Sequence, residues 1–320
     1  MQRRSLLAGV AATALAAPAL GQTYQSKPVR LVVPYTPGGG ADTTARLIAP
    51  RLQEALGQTV VIDNKPGAGG SIGDDAVAKA AADGHTLLIG AFAHAVNPSL
   101  MGRMPFRTPE DFAPISLLVT VPELLVVTPS FPAKTVQELV AMAKAQPGKL
   151  SYASSGNGSA QHLAAELFRM RTGIDIQHVP YKGGSLAVAD VAAGHVPFYF
   201  GNMSAALPQA RGGKVRALAV TSPQRSPAAP EVPTMAESGV QGCEIFEWNA
   251  LLAPAATPPD IVKRLHAEVA KVMAMEDIRA KFADLGAQAV GSNPEELAAF
   301  LKLEMAKWAE VVKAANVKIE

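Results

Sequence analysis

Apolar residues occur along the chain in short continuous runs that alternate with stretches of helical periodicity. The first run, from Val29 to Val33, is nearly continuous, as is typical of a strand buried on both faces of a parallel sheet. This strand is expected to end at Pro34, which has no N–H group for a strand ladder. Pro37 and the three glycines at 38–40 then predict a tight turn with bare backbone.

An amphipathic helix is predicted directly after this glycine turn. Its apolar positions recur at helical spacing and are Ala45, Ile48, Ala49, Leu52 and Leu56. Asp42 or Thr43 is a natural N-cap, and Pro50 predicts either a kink or a shorter helix. A strand, a glycine turn and a helix N-terminus together point free backbone N–H groups at an anion. The alternative is that the glycines only form a tight turn.

The same alternation continues to the end of the chain. Further strands are predicted at residues 59–62, 86–89, 150–153, 176–180, 196–200, 215–220 and 244–252. Helices are predicted to begin at Asp74 or Asp75, Thr135 and Ser159, after residues 181–185, and at residues 257–260 and 293–296. Residues 97–114 are expected to be irregular, and residues 117–127 to form a strand pair or a crossing segment. The last helix carries an apolar stripe, expected to dock, of Leu297, Leu301, Met305, Trp308 and Val312.

This pattern predicts two α/β domains, the second inserted into the first. The first domain is expected to comprise residues 22–122 and 247–320, and the second residues 123–246. Ligands of open α/β sheets bind outside the carboxyl ends of the strands, where this chain has loops rich in glycine and serine. Two domains joined by crossing strands would place both sets of loops across one cleft.

Residues 1–21 have the pattern of a cleavable signal peptide. Arg3 and Arg4 precede an apolar run at residues 6–20, and Ala19 and Gly21 supply the small residues that a signal peptidase reads. The run is too short to span a bilayer. The arginine pair fits a twin-arginine signal or a Sec signal. We therefore expect export to the periplasm and cleavage after Gly21.

Composition narrows the classes of function. The chain has 320 residues, of which 48% are hydrophobic and 18% charged, which is sufficient for two domains. A net charge of +2 without a basic stripe argues against nucleic acid as a partner. The single cysteine, Cys243, excludes a disulfide framework. The six histidines are scattered without a metal-binding motif, so no metal site is predicted.

Catalytic motifs are incomplete in this chain. The glycines at 67–73 have GxGxxxG spacing, and no clear acidic partner follows about 20 residues on, unlike in a dinucleotide-binding loop. The chain has no Walker sequence and no GxSxG elbow. Ser159 and His162 are three residues apart without an orienting acid. We therefore predict no catalytic residues and no cofactor.

Seven motifs, in order along the chain, resemble the Bug family, the TctC-like extracytoplasmic solute receptors of tripartite tricarboxylate transporters. They lie at residues 33–42, 64–73, 83–88, 155–163, 179–184, 216–221 and 248–254. The resemblance covers essentially the whole mature chain. The sequence departs from the family pattern after Gly194. Such receptors usually have a valine–aspartate pair there, and this chain has His195-Val196-Pro197-Phe198.

The resemblance implies a two-domain type II periplasmic-binding-protein fold with a small organic carboxylate held in the cleft between the domains. In this family the carboxylate is pinched between a first loop and a Ser/Gly loop, with backbone N–H groups contributing. The first-loop candidates are Tyr35, Thr36, Pro37, Gly38, Gly39, Gly40, Asp42 and Thr43. The Ser/Gly-loop candidates are Ser154, Ser155, Gly158, Ser159 and His162.

Several of these candidates have structural alternatives. Ser159 is equally suited to capping its helix, and His162 to packing inside it. Asp42 either caps its helix or faces the cleft, where it could accept a hydrogen bond from a ligand ammonium. Tyr181 and Lys182 are favoured for contacts with the distal part of the ligand. Further candidates to line the pocket are Phe92, His94, Asn202 and Trp248, with the core as the alternative for Phe92 and Trp248.

The resemblance also implies partners. A receptor of this kind, expected to be a monomer, delivers its ligand to integral-membrane transporter subunits that are TctA/TctB-like, or presents it to a sensor protein. The sequence does not separate transport from signalling because both use the same closed form. It also leaves the ligand open among tricarboxylates, C4 and aromatic carboxylates, amino acids and nicotinate-type acids.

Overall fold

The structure, a computed structural model, describes residues 27–318 of an α/β protein. The predicted signal peptide at residues 1–21 lies outside the described residues. In residues 27–318 the strands are β1 Val29–Val33, β2 Val60–Asn64, β3 Thr86–Ala91, β4 Phe112–Val127, β5 Leu150–Ser154, β6 Ile176–Pro180, β7 Phe198–Asn202, β8 Arg216–Val220, β9 Phe246–Pro254 and β10 Gln288–Ala289. The helices are α1 Gly40–Leu56, α2 Ser71–Ala78, α3 Phe92–Leu100, α4 Val136–Ala145, α5 Ala160–Thr172, α6 Gly184–Ala193, α7 Met203–Arg211, α8 Pro259–Ala274, α9 Glu276–Asp284 and α10 Pro294–Ala314. None of these helices is both long and apolar enough to cross a bilayer.

The strands follow one path in the order β2-β1-β3-β9-β4-β7-β5-β6, with β8 and β10 each also paired to β4. β2, β1 and β3 are parallel, as are β6, β5 and β7, whereas β4 and β9 run antiparallel to their neighbours. β1 is buried because α1 packs against it on one side and α2 on the other, which explains its nearly continuous apolar run. Each half of the molecule thus contains three parallel strands covered by helices, next to the antiparallel strands β4 and β9.

β4 joins the two halves. As far as Pro122 it pairs with β9, and from Glu123 onward it pairs with β7 and β8. Of the two interpretations of residues 117–127, the crossing segment is confirmed, because one strand of 16 residues runs through the region. The change of partner coincides with the predicted domain boundary at residues 122–123. The division into an inserted domain of residues 123–246 stays a prediction, which this change of partner supports.

The starts of α1 and α2 differ from the predictions, which were wrong about both caps. α1 begins at Gly40 with Gly39 as its N-cap, not at Asp42 or Thr43. α1 also continues through Pro50 to Leu56 and is not shortened. α2 begins at Ser71, not at Asp74 or Asp75, and ends at Ala78. Each of these helices follows a glycine turn directly, with Gly39 or Gly70 as its N-cap. Neither helix has a side-chain cap at its start.

Three helices were missed by the sequence analysis. α3 occupies residues 92–100, where loop and irregular chain were expected, and Pro98 lies inside it. α7 follows β7 directly, with the Asn202 side chain accepting from the backbone N–H of Ser204 as its cap. α9 follows α8 with only Met275 between them. Prolines inside α3 and α7 hid their helical pattern, because proline is usually read as a helix breaker.

Several predicted helix signals are confirmed. Ser159 caps α5 by accepting from the His162 N–H group, and Gly173 ends that helix in a left-handed conformation. Asn293 and Glu296 form a reciprocal capping box at the start of α10. The apolar stripe of α10 docks as expected, with Trp308 fully buried against the ring of Phe92 at 5.1 Å between centroids. Thr135 caps α4 by accepting from the Glu138 N–H group, but the Glu138 carboxylate accepts from the backbone N–H of Lys134 and not from that of Thr135, so no reciprocal capping box forms.

Candidate functional site

The first loop, residues 34–40, leaves β1 and ends at the N-terminus of α1. Gly38 has a φ of +86°, a left-handed conformation that glycine adopts without strain. The N-cap residue Gly39 offers no side-chain hydrogen bond to the helix. The first backbone N–H groups of α1 are therefore left without the usual side-chain acceptor, at an end where the helix dipole favours negative charge. Thr36, Pro37, Gly38 and Gly40 are exposed.

Asp42 holds this loop in shape. Its carboxylate accepts hydrogen bonds from the Gly38 N–H at 2.8 Å, Arg46 Nε at 2.8 Å and Asn64 Nδ2 at 3.0 Å. The Arg46 hydrogen bond is the main reason why the pKa of Asp42 falls to about 2. The side chain is buried among these partners, which favours a structural role over the alternative of receiving a ligand ammonium.

A glycine-rich turn between β2 and α2 packs directly against the first loop. A Cβ atom on Gly73 would lie 2.6 Å from Cβ of Pro34, and one on Gly70 would lie 3.1 Å from the Tyr35 hydroxyl. These glycines are therefore required for close approach to the neighbouring loop, which is a physical reason for the motif other than nucleotide binding. The Asn64 side chain also donates to the Tyr35 carbonyl at 3.1 Å, so the two loops form one unit.

The Ser/Gly loop occupies the matching position in the other half, between β5 and α5. Ser159 Oγ donates to the Gly156 carbonyl at 2.7 Å while it caps α5. Ser154 Oγ lies 2.6 Å from His178 Nε2, and Ser155 Oγ is hydrogen-bonded to Gln161 Oε1. Ser155, Gly158 and Ser159 are only partly buried, so this loop presents hydroxyl and N–H groups at the surface of its half.

His162 is held inside this loop as a neutral imidazole. Its Nδ1 accepts from the Gly158 N–H at 3.1 Å, so Nδ1 carries no proton. The ring stacks on His178 with 3.8 Å between centroids. Burial, with His178 nearby, lowers the pKa of His162 to about 3. These contacts favour the packed alternative for His162.

The remaining candidates divide between loops and core. Tyr181 follows β6, and its hydroxyl donates to Asp190 at 2.6 Å, while burial is the main cause that raises its pKa to about 12. Lys182 beside it is exposed. His94 is buried with Nδ1 2.7 Å from the carboxylate of Asp74, which is itself buried on α2.

Phe92 and Trp248 are core residues in the structure. Phe92 packs on Trp308, and Trp248 meets Phe300 edge to face with 5.6 Å between ring centroids. Both side chains are buried, so their surroundings favour the core alternative over a place in a pocket wall.

A polar network that the sequence analysis missed joins the two halves. Gln161 Nε2, on α5, donates to Glu123 Oε1 at 2.9 Å and to Glu247 Oε1 at 2.6 Å. Asn202 Nδ2, at the end of β7, donates to Glu247 Oε2 at 2.7 Å. Glu123 and Glu247 stand on the crossing strands β4 and β9. We call these four residues the hinge network.

The hinge network connects the two candidate loops. Gln161 is bonded to Ser155 of the Ser/Gly loop, and Glu247 is close enough to Tyr35 of the first loop to contribute to its raised pKa. Burial is the larger cause of that shift. The signal in the sequence was an acidic residue inside each of two apolar strand runs, Glu123 within 117–127 and Glu247 within 244–252. Such a residue is costly to bury and is therefore informative.

The arrangement can hold an anion through neutral donors. One half offers uncapped N–H groups at the start of α1. The other half carries serine hydroxyls before α5, which are bonded within the protein and would have to exchange those acceptors for an anion. Within the described part of the chain, no group of three or more histidine, cysteine, aspartate or glutamate residues is arranged to hold a metal ion.

The chain is similar to known proteins in both sequence and structure. The family model for the "Tripartite tricarboxylate transporter family receptor" (TctC) matches residues 44–317. The chain is 40% identical to the protein BugT of Bordetella pertussis over 313 residues, 97% of this chain and 96% of BugT. The chain is 39% identical to the solved structure of R. palustris Rpa4515 with adipate, with a TM-score of 0.80. The superposition covers 92% of this chain and 98% of the Rpa4515 chain. The chain is 34% identical to MatC (Rpa3494) from Rhodopseudomonas palustris with bound malate, with a TM-score of 0.76. That superposition covers 90% of this chain and 99% of the MatC chain.

Proposed function

This chain belongs to the TctC family of tripartite tricarboxylate transporter receptors, and we propose on that premise that it is a periplasmic receptor for a small organic carboxylate. The predicted Bug-family resemblance and the type II periplasmic-binding-protein fold are both confirmed. Members of this family are solute-binding receptors, which also confirms the prediction that the chain is not an enzyme. Relatives with adipate and with malate support a carboxylate as the ligand class here.

The observation that carries this proposal is the pairing of two donor-rich loops on opposite halves. The ligand carboxylate would accept from the N–H groups at residues 39 and 40, since the Gly38 N–H is held by Asp42. It would also accept from the Ser/Gly loop at residues 154–159, where a hydroxyl exchanges its present acceptor for the ligand. Each helix terminus contributes only about 0.3–1 kcal/mol near the surface and up to about 2 kcal/mol when partly buried. Several convergent donors are therefore needed, and each half supplies a part of them.

Closure of the two halves on the ligand would complete the function. An anion that bridges loops on different halves stabilises the closed form, because only that form satisfies both sets of donors. The closed receptor would then deliver the ligand to integral-membrane subunits that are TctA/TctB-like. Presentation to a sensor protein is the alternative, and it requires the same closed form.

A thermal-shift screen of carboxylates tests the proposal. A ligand at 100 times its dissociation constant stabilises the fold by about 2.7 kcal/mol, which raises the melting temperature by roughly 2–4 °C in a protein of this size. We expect one or a few carboxylates to give such shifts, and the matching amides and alcohols to give none. Equal shifts with the amides, or no shift with any carboxylate, would contradict the proposal.

A further inference from the structure

The hinge network has a fixed hydrogen-bond polarity. Asn202 Oδ1 accepts from the backbone N–H of Ser204 at 3.0 Å, and a backbone nitrogen can only donate, so Asn202 must turn its NH₂ group toward Glu247. Gln161 Nε2 lies between two carboxylates and donates to both. Glu247 therefore receives one amide N–H on each oxygen.

Glu123 and Glu247 differ in how well an ionised carboxylate is supported. Glu123 is fully buried, and its Oε2 has no hydrogen-bond partner in the described part of the chain. Burial, followed by the neighbouring Glu247, raises the pKa of Glu123 well above its usual value. Burial also raises the pKa of Glu247, but two amide donors oppose that shift. Amide N–H groups donate to both oxygens of Glu247, whereas one oxygen of Glu123 has no partner, so we place the proton on Glu123 and the negative charge on Glu247.

The charge on Glu247 has no cationic partner within residues 27–318. In the described part of the chain, the side chains that donate to the two carboxylates are the neutral amides of Gln161 and Asn202. A buried or partly buried charge without a counter-charge is costly, and structures usually supply one from a side chain, a metal or a ligand. Glu247 is partly buried and lies among Gln161, Asn202 and Tyr35, which come from both halves.

We infer that Glu247 binds a protonated nitrogen of the solute, so that the ligand is a small carboxylate that also carries an ammonium group. This inference rests on the proposed receptor function and narrows its ligand class. The donor loops would hold the ligand carboxylate, while the Glu247 carboxylate, which retains free lone pairs beside its two amide donors, accepts from the ammonium. A ligand with a second carboxylate at this position and no cation would meet repulsion from Glu247.

Isothermal titration calorimetry at pH 7 with matched pairs of compounds tests the inference. The pairs are L-glutamate and glutarate, L-aspartate and succinate, and 4-aminobutyrate and butyrate. In the wild-type protein we expect at least one amino compound to bind about tenfold or more tightly than its partner. In Glu247→Gln we expect that advantage to fall to about threefold or less, while Glu310→Gln, an exposed change of the same charge on α10, keeps it.

The outcomes separate the inference from the proposed function. Tighter binding of glutarate, succinate or butyrate than of the amino partner would overturn the inference and leave a carboxylate receptor intact. An amino preference that is equal in wild type and in Glu247→Gln would assign the ammonium contact to another residue. Binding of neither member of any pair would contradict the inference directly. A separate carboxylate that gives a thermal shift would then still support the proposed function. The wild-type comparison stands even if Glu247→Gln fails to fold.

Discussion

At the scale of single residues, the candidate site combines glycines that permit close approach with acidic side chains placed inside apolar strands. Gly70 and Gly73 permit the close approach of Tyr35 and Pro34, so their role is steric. Gly39 is different, because a Cβ atom there would meet only the Thr36 carbonyl oxygen at an ordinary 3.6 Å. A side chain at Gly39 is therefore compatible with the fold. It would instead obstruct a ligand that approaches the loop from solvent.

We predict that Gly39→Val folds normally but binds its carboxylate at least about tenfold more weakly, because the new side chain obstructs the N–H groups of the first loop. Gly102→Val is the matched control, since a Cβ atom at Gly102 meets nothing within 4 Å. Both variants should keep a stability within about 0.5 kcal/mol of wild type, as exposed substitutions usually do. Calorimetric titration with the best carboxylate from the screen measures the difference. Unchanged affinity in a folded Gly39→Val would show that the carboxylate does not bind at the first loop.

Glu123→Gln should make the protein more stable at high pH. The raised pKa of Glu123 means that the folded protein retains a proton that the unfolded chain releases above its ordinary pKa near 4.5. The stability of the wild type therefore falls as pH rises from that value toward the folded pKa. Glutamine has the same shape and no charge, so the gain should reach about 1 kcal/mol or more near pH 8 and shrink toward pH 5.

Melting curves between pH 5 and pH 8.5 measure this effect. The other titratable groups that face Glu123 are Glu247 on β9 and Tyr199 on β7, whose pKa is raised mainly by burial. Both remain in the variant, so the difference between the two proteins isolates Glu123. A parallel pH dependence in wild type and variant would show that Glu123 does not carry the buried proton.

At the scale of elements, each half presents a strand, a short polar loop and a helix N-terminus, but the two helices start differently. α1 begins at bare glycines with no side-chain cap, whereas α5 begins at Ser159, whose hydroxyl accepts from the helix and donates to Gly156. The Ser159 hydroxyl is thus already engaged within its own loop. The contribution of this hydroxyl to ligand affinity therefore has to be measured separately from its contribution to the stability of α5.

A comparison of Ser159→Ala with Thr135→Ala makes this separation. Each variant removes one N-cap from a helix of the same half, α5 or α4, and each should cost about 1 kcal/mol of stability. We expect only Ser159→Ala to weaken carboxylate binding, by about threefold or more, because its loop presents donors to the ligand. Chemical denaturation and calorimetric titration of both variants give the two quantities. Equal affinities in the two variants would leave Ser159 with a capping role alone.

At the scale of the whole molecule, the two halves are joined by β4 and β9, and the hinge network stands on those strands. β4 changes partner between Pro122 and Glu123, and Glu247 of β9 lies opposite Val121. A movement of one half against the other would bend these strands and alter the contacts of Gln161 and Asn202 with Glu247. Ligand binding and the state of the hinge are therefore expected to depend on each other.

Ligand-bound protein should bind its cognate membrane subunits more tightly than the empty protein does. The physical reason is that closure creates a surface from both halves that the open form does not present. Binding of both forms to the membrane complex in nanodiscs measures the difference. Equal affinity would count against transport and favour the sensor alternative.

Export predicts a defined mature chain. The intact mass of protein recovered from the periplasm should correspond to a chain that begins at Gln22, because cleavage is expected after Gly21. Substitution of both Arg3 and Arg4 by lysine should block export if the twin-arginine route is used, and should leave it largely intact if the Sec route is used. Periplasmic protein that still begins at Met1 would contradict cleavage.

The sequence by itself determined the fold class, most strands and the helix signals that act locally. Apolar runs such as Val29–Val33 and caps such as Ser159 and Asn293 depend on neighbours only a few residues away, so their effect is visible in the sequence. The ordered motifs also identified the family. The helices that begin at Phe92 and Met203 were missed because tertiary packing stabilises them despite their internal prolines.

Only the tertiary structure decided which polar residues meet. Glu123, Gln161 and Glu247 are separated by 38 and 86 residues along the chain, yet the crossing strands and α5 bring their side chains within hydrogen-bond distance. It also assigned Asp42 to its own loop, and Phe92 and Trp248 to the core. The direction of a side chain depends on which strands pair and where their register falls. Those choices are made by contacts distant in sequence, which no local pattern records.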